Sequence, residues 1–498
     1  MKIRKFPTAQ TILLLIAVMV ALLTWFVPAG KYDTIAFSKP TNDFVRISLG
    51  TETRLPATQQ TLTDLDINIP LAKFTEGDIW KPINIPNTYK TLDPRPQGLA
   101  ELVKAPIKGI IQAADIIFLV LMIGGLIGIM NATGAFDAAI AWFAKILKGR
   151  EFWLIIAVTF FISLGGTTFG LAEETIAFYP ILIPVFLAAR YDAMVALASI
   201  YIGTSVGTMF STTNPFSIII ASDAAGINWT DGIVGRLFMF LVGTAVCIIY
   251  ILRYAKRVQY DPTKSIIYNQ KEEIETQFGN TTNASVALNM RLRIIILLFT
   301  LCFAVMIFGV ARLSWWFEEM TAVFFVGAML IGAISHLKEH QFVETFVKGA
   351  SDLLGVALII GFARGVSVLM DDGLISDTML YYASGITEGM NKGVFANVMM
   401  LIYAGLSFFI PSSSGMAVLT MPIMSPLADT VGIGREVIVN AYNYGQGLFA
   451  FINPTGLILA SLAIVNVGFN KWMRFVMPLV GLLLIITMTW LTISVYLF

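Results

Sequence analysis

Glu173 and Glu174 stand side by side in the stretch FFISLGGTTFGLAEETIAFYPILIP, Phe160 to Pro184. The rest of that stretch suits the interior of a bilayer. Adjacent carboxylates at such depth are costly unless something compensates them. Three uses are open. They can take an ammonium or guanidinium group, carry a proton, or pair with a buried cation. One cation in the sequence answers to the third use. Arg364 follows Asp352 by twelve residues, ~18 Å along a helix and past the middle of the hydrocarbon. The carboxylate and guanidinium either bridge each other or hold opposite ends of a zwitterion. On a helix, neighbouring side chains point about 100° apart, so one of the two glutamates is expected to face a cavity. A purely anionic solute would be repelled by bare glutamates, which favours an amino acid or a cationic compound.

These groups need a membrane around them, and the composition supplies it. The 498 residues are 57% hydrophobic and 13% charged, against about 25% charged in soluble domains. The expected class is an all-α polytopic membrane protein, with the lipid bilayer as its surroundings. A net charge of +1 implies no nucleic acid partner. Cys247 and Cys302 lie in apolar runs and suggest no disulfide framework. His336 and His340 have no cysteine company, so an exposed helix face is favoured over a zinc site. No P-loop, histidine cluster or nucleophile with a plausible base is present. The chain is therefore expected to be no enzyme, with no cofactor and no built-in ATPase.

Apolar runs long enough to span fall near 11–28, 114–133, 194–222, 233–254, 291–311, 320–336, 352–370, 434–466 and 472–496. Residues 1–28 give a first transmembrane helix. Residues 29–113 form a polar extracytoplasmic segment, with a short amphipathic helix near Gly98–Ala113. A first repeat runs over 114–255, a cytoplasmic loop over 256–290, and a second repeat over 291–498. The positive-inside rule orients them. Lys2, Arg4, Lys5, Lys145, Lys148, Arg150, Arg190, Lys471 and Arg474 are placed inside, so the N-terminus is cytoplasmic and the C-terminus extracytoplasmic. Two apolar stretches, 152–190 and 394–430, are broken by glycine, serine or threonine. They read as re-entrant hairpins with tips at Gly165–Gly170 and Pro411–Gly415. Non-helical backbone at this depth is tolerated only against protein or a water-filled cavity, so the tips belong to a site.

The halves match. Lys108-Gly109 recurs as Lys348-Gly349, 240 positions on. Pro180 and Pro184 recur as Pro422 and Pro426, and Asn214-Pro215 as Asn453-Pro454. The charge pattern gives the copies opposite orientation. An inverted-topology repeat with broken helices is the mark of a secondary transporter. Proline frees carbonyls within each long run. With Gly166, Thr213, Asn214, Ser413, Asn453 and Thr455, these suit a hard cation such as sodium. The competing use of such hydroxyls is bonding to their own backbone. The candidate substrate residues are Glu173, Glu174, Thr167, Thr168, Asn214, Ser412, Ser413, Ser414, Asn443, Asn453 and Arg364. Asn440, Asn443 and Gly447 form a polar stripe matched by Tyr201, Thr204 and Thr208. It serves either as helix–helix glue or as cavity lining.

The runs GLAEETIAFYPILIP and SVGTMFSTTNPF, then FFIPSSSGMAVLTMPIMSPLAD and NYGQGLFAFINPTG, resemble the YfcC-like branch of the anaerobic four-carbon dicarboxylate carrier family, within the ion transporter superfamily. The resemblance covers nearly the whole chain, from Thr11 on. It implies two inverted repeats and a homodimer that moves substrate by an elevator-like motion. It also implies a bacterial inner membrane location and kinship with proteins regarded as basic amino acid antiporters. Where the superfamily's sodium-coupled dicarboxylate members carry Ser-Asn-Thr, these tips read Gly-Gly-Thr-Thr and Ser-Ser-Ser. The expected function is exchange of amino acids, chiefly basic ones of the arginine and ornithine type, coupled if at all to sodium or protons. The alternatives are an ion-coupled four-carbon dicarboxylate transporter and, from another class, a channel.

Overall fold

The structure, a computed structural model, describes residues 7–77, 79, 81–136, 138–139, 142, 149–279, 289–313, 315–386 and 389–497. The orienting residues Lys2, Arg4, Lys5, Lys145 and Lys148 lie outside the described residues. Among the described residues, nine helices are long and apolar enough to cross a membrane. The first, Ala9–Phe26, opens at Thr8, whose hydroxyl accepts from the Thr11 amide. The long runs at 194–222 and 434–466 are not single helices. They break into Ala193–Met209 with Ile220–Ala225, and Arg435–Ala450 with Ile458–Val465.

The order of elements recurs about 240 positions on. Leu99–Gln112 answers to Glu339–Asp352, Ala114–Ala132 to Leu354–Asp372, and Phe152–Phe169 to Lys392–Phe409. The first two pairs pack crosswise. Leu99–Gln112 lies on Leu354–Asp372, and Glu339–Asp352 lies on Ala114–Ala132. Glycine permits both crossings. A Cβ on Gly109 would fall 2.2 Å from the Gly361 carbonyl oxygen, and one on Gly349 would fall 2.3 Å from that of Gly124. Backbone cannot yield as a flexible side chain does, so the two crossings are fixed by small residues.

Each broken stretch is two helices joined by a short non-α-helical link. Phe152–Phe169 ends at Gly170, whose φ of 81° is left-handed and stops the helix. The chain returns through a 3-10 turn, Glu173–Phe178, into Tyr179–Ala188. The turn therefore sits later than the expected Gly165–Gly170. Gly165 to Phe169 are still helical, because two adjacent glycines weaken a helix without providing the left-handed residue that ends it. Lys392–Phe409 turns at Ile410–Ser412 into Ser413–Val431.

The polar segment is more ordered than its composition suggests. Thr51–Pro56, Asp43–Ser48, Thr34–Ser38 and Ile83–Asn84 form an antiparallel sheet in that order. A second small ladder joins Gly30–Lys31 to Lys90–Thr91. Ile35, Phe44, Leu62, Phe74 and Ile83 are buried beneath the sheet. The segment docks on the helices. The Gly30 amide donates to the Leu374 carbonyl at 2.9 Å and the Tyr32 amide to Asp377 Oδ2 at 3.0 Å. Lys73 Nζ lies 2.9 Å from buried Asp223 Oδ1, beyond the first helix break.

Asp33 organises the sheet's edge. Burial alone would raise its carboxyl, but hydrogen bonds from Arg46 and Ser48 and the charges of Arg46 and Lys90 outweigh burial and hold it below the usual value. A depressed folded value gives stability that is present above the unfolded carboxyl pKa, about 3.9, and lost as pH falls through the folded value. Asp33→Asn is expected to remove this acid-sensitive step and cost about 1–2 kcal/mol locally. Hydrogen exchange over Thr34–Ser48 against pH measures it, and identical acid profiles for variant and wild type would contradict it.

Candidate transport cavity

The two helix breaks are stapled to the hairpins. Asn214 Oδ1 accepts from the Phe216 amide at 2.9 Å, bridging Pro215, which has no amide of its own. Its Nδ2 donates to the Gly166 carbonyl at 3.4 Å. The Thr212 amide donates to the Thr167 carbonyl at 2.9 Å, and Thr213 Oγ1 to that of Thr168 at 3.0 Å. The second half repeats the device. Asn453 Oδ1 accepts from the Thr455 amide at 3.1 Å, while Nδ2 donates to the Ser407 carbonyl at 3.0 Å. Thr455 Oγ1 donates to Phe408 at 3.0 Å. Each unwound segment thus closes the last turn of its hairpin's first helix.

Between the stapled breaks lies a cavity of about 420 Å³. Glu173, Glu174, Asn214, Ser412, Ser413, Ser414, Asn443, Asn453, Arg364 and Thr455 all line it. Residues 200 positions apart in sequence are brought to one hollow. Thr167, Thr168, Gly166 and Thr213 are not on its wall. Buried Thr167 donates its hydroxyl to the Phe210 carbonyl at 2.7 Å, and Thr168 to that of Leu164 at 2.6 Å. Of the oxygens grouped for sodium, Asn214 Oδ1 and Asn453 Oδ1 accept from backbone amides, the Thr213 and Thr455 hydroxyls donate to carbonyls, and the Gly166 carbonyl and Ser413 Oγ accept from the side chains of Asn214 and Gln446. Tyr201, Thr204, Thr208 and Gly447 line the cavity, whereas Asn440 accepts from buried Arg236 at 3.4 Å.

Both glutamates reach the wall, where one was expected. The 3-10 turn spaces them differently from an α-helix. Glu174 is the more enclosed, and its Oε2 accepts from the Ala172 amide at 3.1 Å. Among the described residues, no other residue is hydrogen-bonded to the Glu173 carboxylate. The direct bridge from Arg364 to a glutamate is not formed, since no ion pair within 4.0 Å joins them. Arg364 is half-buried and donates no hydrogen bond to a described residue.

Asp115, Gln446 and Lys81 are among the lining groups that were not foreseen. Asp115 opens the apolar helix Ala114–Ala132, where a lone acid was the available signal. Gln446 follows Asn443 by three positions, on the same helix face, and donates to Ser413 Oγ. Lys81 comes from the polar segment, and no periodicity announces it. Its Nζ donates to Ser414 Oγ at 2.7 Å. Burial, and then the nearby Arg364 guanidinium, push Lys81 below the ordinary lysine value. The cavity thus presents Asp115, Glu173 and Glu174 together with Arg364 and Lys81.

Broken helices that enclose a hollow bearing both signs of charge, in an otherwise apolar bundle, are the architecture of a membrane transporter. The sequence profile of the C4-dicarboxylate anaerobic carriers, DcuC, matches residues 6–496. The chain belongs to that family. It is 42% identical over 496 residues to an uncharacterized protein of Haemophilus influenzae, covering 99% of this chain and 97% of the relative. It is 28% identical over 500 residues to the Escherichia coli protein named "Putative basic amino acid antiporter YfcC", covering 97% and 94%. Two solved structures align more distantly. The Alcanivorax borkumensis YdaH transporter aligns at TM-score 0.41 and 13% identity over 98% of both chains. Neisseria gonorrhoeae MtrF aligns at 0.39 and 17% over 99% of this chain and 96% of its own.

The staples carry a prediction. Asn453→Ala removes a buried donor and acceptor at once, a cost of about 1–3 kcal/mol. The detergent-purified variant is expected to melt several degrees below wild type and to lose flux. An unchanged melting temperature would show that the break holds without Asn453.

Proposed function

We propose that the protein is a secondary active transporter of the bacterial inner membrane that exchanges basic amino acids. The observation that carries this reading is the charge set of the cavity. A basic amino acid has two cationic groups and one carboxylate. Asp115, Glu173 and Glu174 offer partners for the cations, and Arg364 offers a planar fork for the carboxylate. The missing Arg364–glutamate bridge supports it, because a ligand between the two completes both. The basic amino acid antiporter name of the 28% identical relative points the same way.

In this reading the hairpins and broken helices move as a carrier against the crosswise-packed helices, an elevator type of alternating access, in a homodimer. The element order repeated after about 240 positions supports two copies of one unit, and the charge pattern of the sequence supports their opposite orientation. Exchange balances charge by counter-substrate, so no coupling ion is required. A sodium ion or proton would be an addition to it.

A second reading has its own observation. Lys81 and Arg364 are two cations on one cavity wall beside the serine hydroxyls, which suits the two carboxylates of a four-carbon diacid. Glu173 or Glu174 would then carry a proton.

The test is uptake of labelled arginine into proteoliposomes preloaded with ornithine, for wild type, Glu173→Gln and Glu174→Gln. Exchange in wild type, cut about tenfold or more in Glu173→Gln by the lost charge-assisted bond, is expected. The loss in Glu174→Gln should be smaller, since that carboxylate also accepts a backbone amide. No arginine exchange, with succinate uptake instead, would replace this reading by the second.

A further inference from the structure

The cavity has a feature that the bundle alone does not provide. Lys81 belongs to the sheet-containing segment, yet its ammonium reaches the second hairpin tip and donates to Ser414 Oγ at 2.7 Å. The stretch carrying it is fastened on both sides. Upstream, Lys73 pairs with buried Asp223 at 2.9 Å, just past the first Asn-Pro break. Downstream, Asn84 Nδ2 donates to Asp377 Oδ1 at 3.2 Å and to the Leu419 carbonyl at 3.3 Å, on the second hairpin's returning helix. Fastenings at Lys73 and at Asn84 therefore act as a strap that holds Lys81 between the first helix break and the second hairpin.

The corner it enters holds a second cation and the start of a helix. Arg364 is close enough for its charge to act on Lys81. The helix Ser413–Val431 begins at the same wall. Its first amides have no intrahelical acceptor, and its dipole favours an anion there. A carboxylate placed there accepts from both cations and from the first amides of that helix. Glu173 and Asp115 also line the cavity, and they disfavour a second anion and suit a cation.

We propose that Lys81 and Arg364, with the Ser414 tip, form the subsite for the substrate's carboxylate, and that the strap makes this subsite exist only while the extramembrane segment is docked. Lys81 is then a specificity-determining residue that tells a carboxylated substrate from its decarboxylated amine. The basic amino acid part of this assignment rests on the exchange reading above; the carboxylate part does not.

The experiment measures flux in proteoliposomes with arginine, agmatine (arginine without its carboxylate) and succinate, for wild type, Lys81→Met and Lys81→Arg. Melting temperature in detergent confirms that each variant is folded. Lys81→Met is expected to raise KM for the carboxylated substrate about tenfold, as loss of a charge-assisted hydrogen bond requires, and to leave agmatine within about twofold. Lys81→Arg is expected to restore most of the loss. If wild type moves succinate and not arginine, and Lys81→Met impairs it, the subsite stands and the basic amino acid reading falls. Arginine exchange with the same KM in Lys81→Met and wild type overturns the subsite and leaves that reading intact. Equal losses for arginine and agmatine would also overturn it, since the lysine would then not be reading the carboxylate. Wild type that moves none of the three would overturn both.

Discussion

Two asparagines hold the architecture together at its weakest places. A helix broken inside a bilayer leaves carbonyls and amides that water cannot reach, and each must find a partner within the protein. Asn214 and Asn453 supply both halves of that requirement. Each carbonyl oxygen bridges the proline to the next free amide, and each amide donates to the end of a hairpin helix. Threonines add the remaining bonds. The break and the hairpin become one rigid unit in each half, and the units face each other across the cavity. Without the staples, neither the glutamates nor the serine tip would have a fixed place.

The charges then have room to be useful. Asp115, Glu173 and Glu174 with Arg364 and Lys81 give the hollow both signs on separate groups. Had Arg364 closed onto a glutamate, the pair would have been a strut and the cavity would have lost its two strongest recognition elements. Their separation leaves desolvation unpaid until a ligand of complementary charge enters, which is how a buried site can be selective.

Much of this was readable from residues, for identifiable reasons. Proline and left-handed glycine act locally, so the breaks at Asn214-Pro215, Gly170 and Asn453-Pro454 announce themselves. The crossing glycines of the two halves showed as a repeat because close backbone contact excludes every larger residue. The sheet was harder to see. Its tight turn at Leu49-Gly50 has positive φ of 50° and 83°, and leucine at such a position hides a hairpin that asparagine would have declared. Hydroxyls misled for another reason. Thr167 and Thr168 lie in a motif that looks like a binding tip, but one extra helical turn carries them to the backbone side. Lys81 had no signal at all, because its place depends on the docking of a whole segment against helices far along the chain.

The most direct test of the account is a cryo-EM map of the protein in nanodiscs with saturating arginine, beside one without it. The account predicts added density spanning from Glu173 to Arg364, its planar guanidinium on the acidic wall and its carboxylate at Ser414. Density for arginine confined to another place, or an unchanged cavity in a preparation that exchanges arginine, would contradict it.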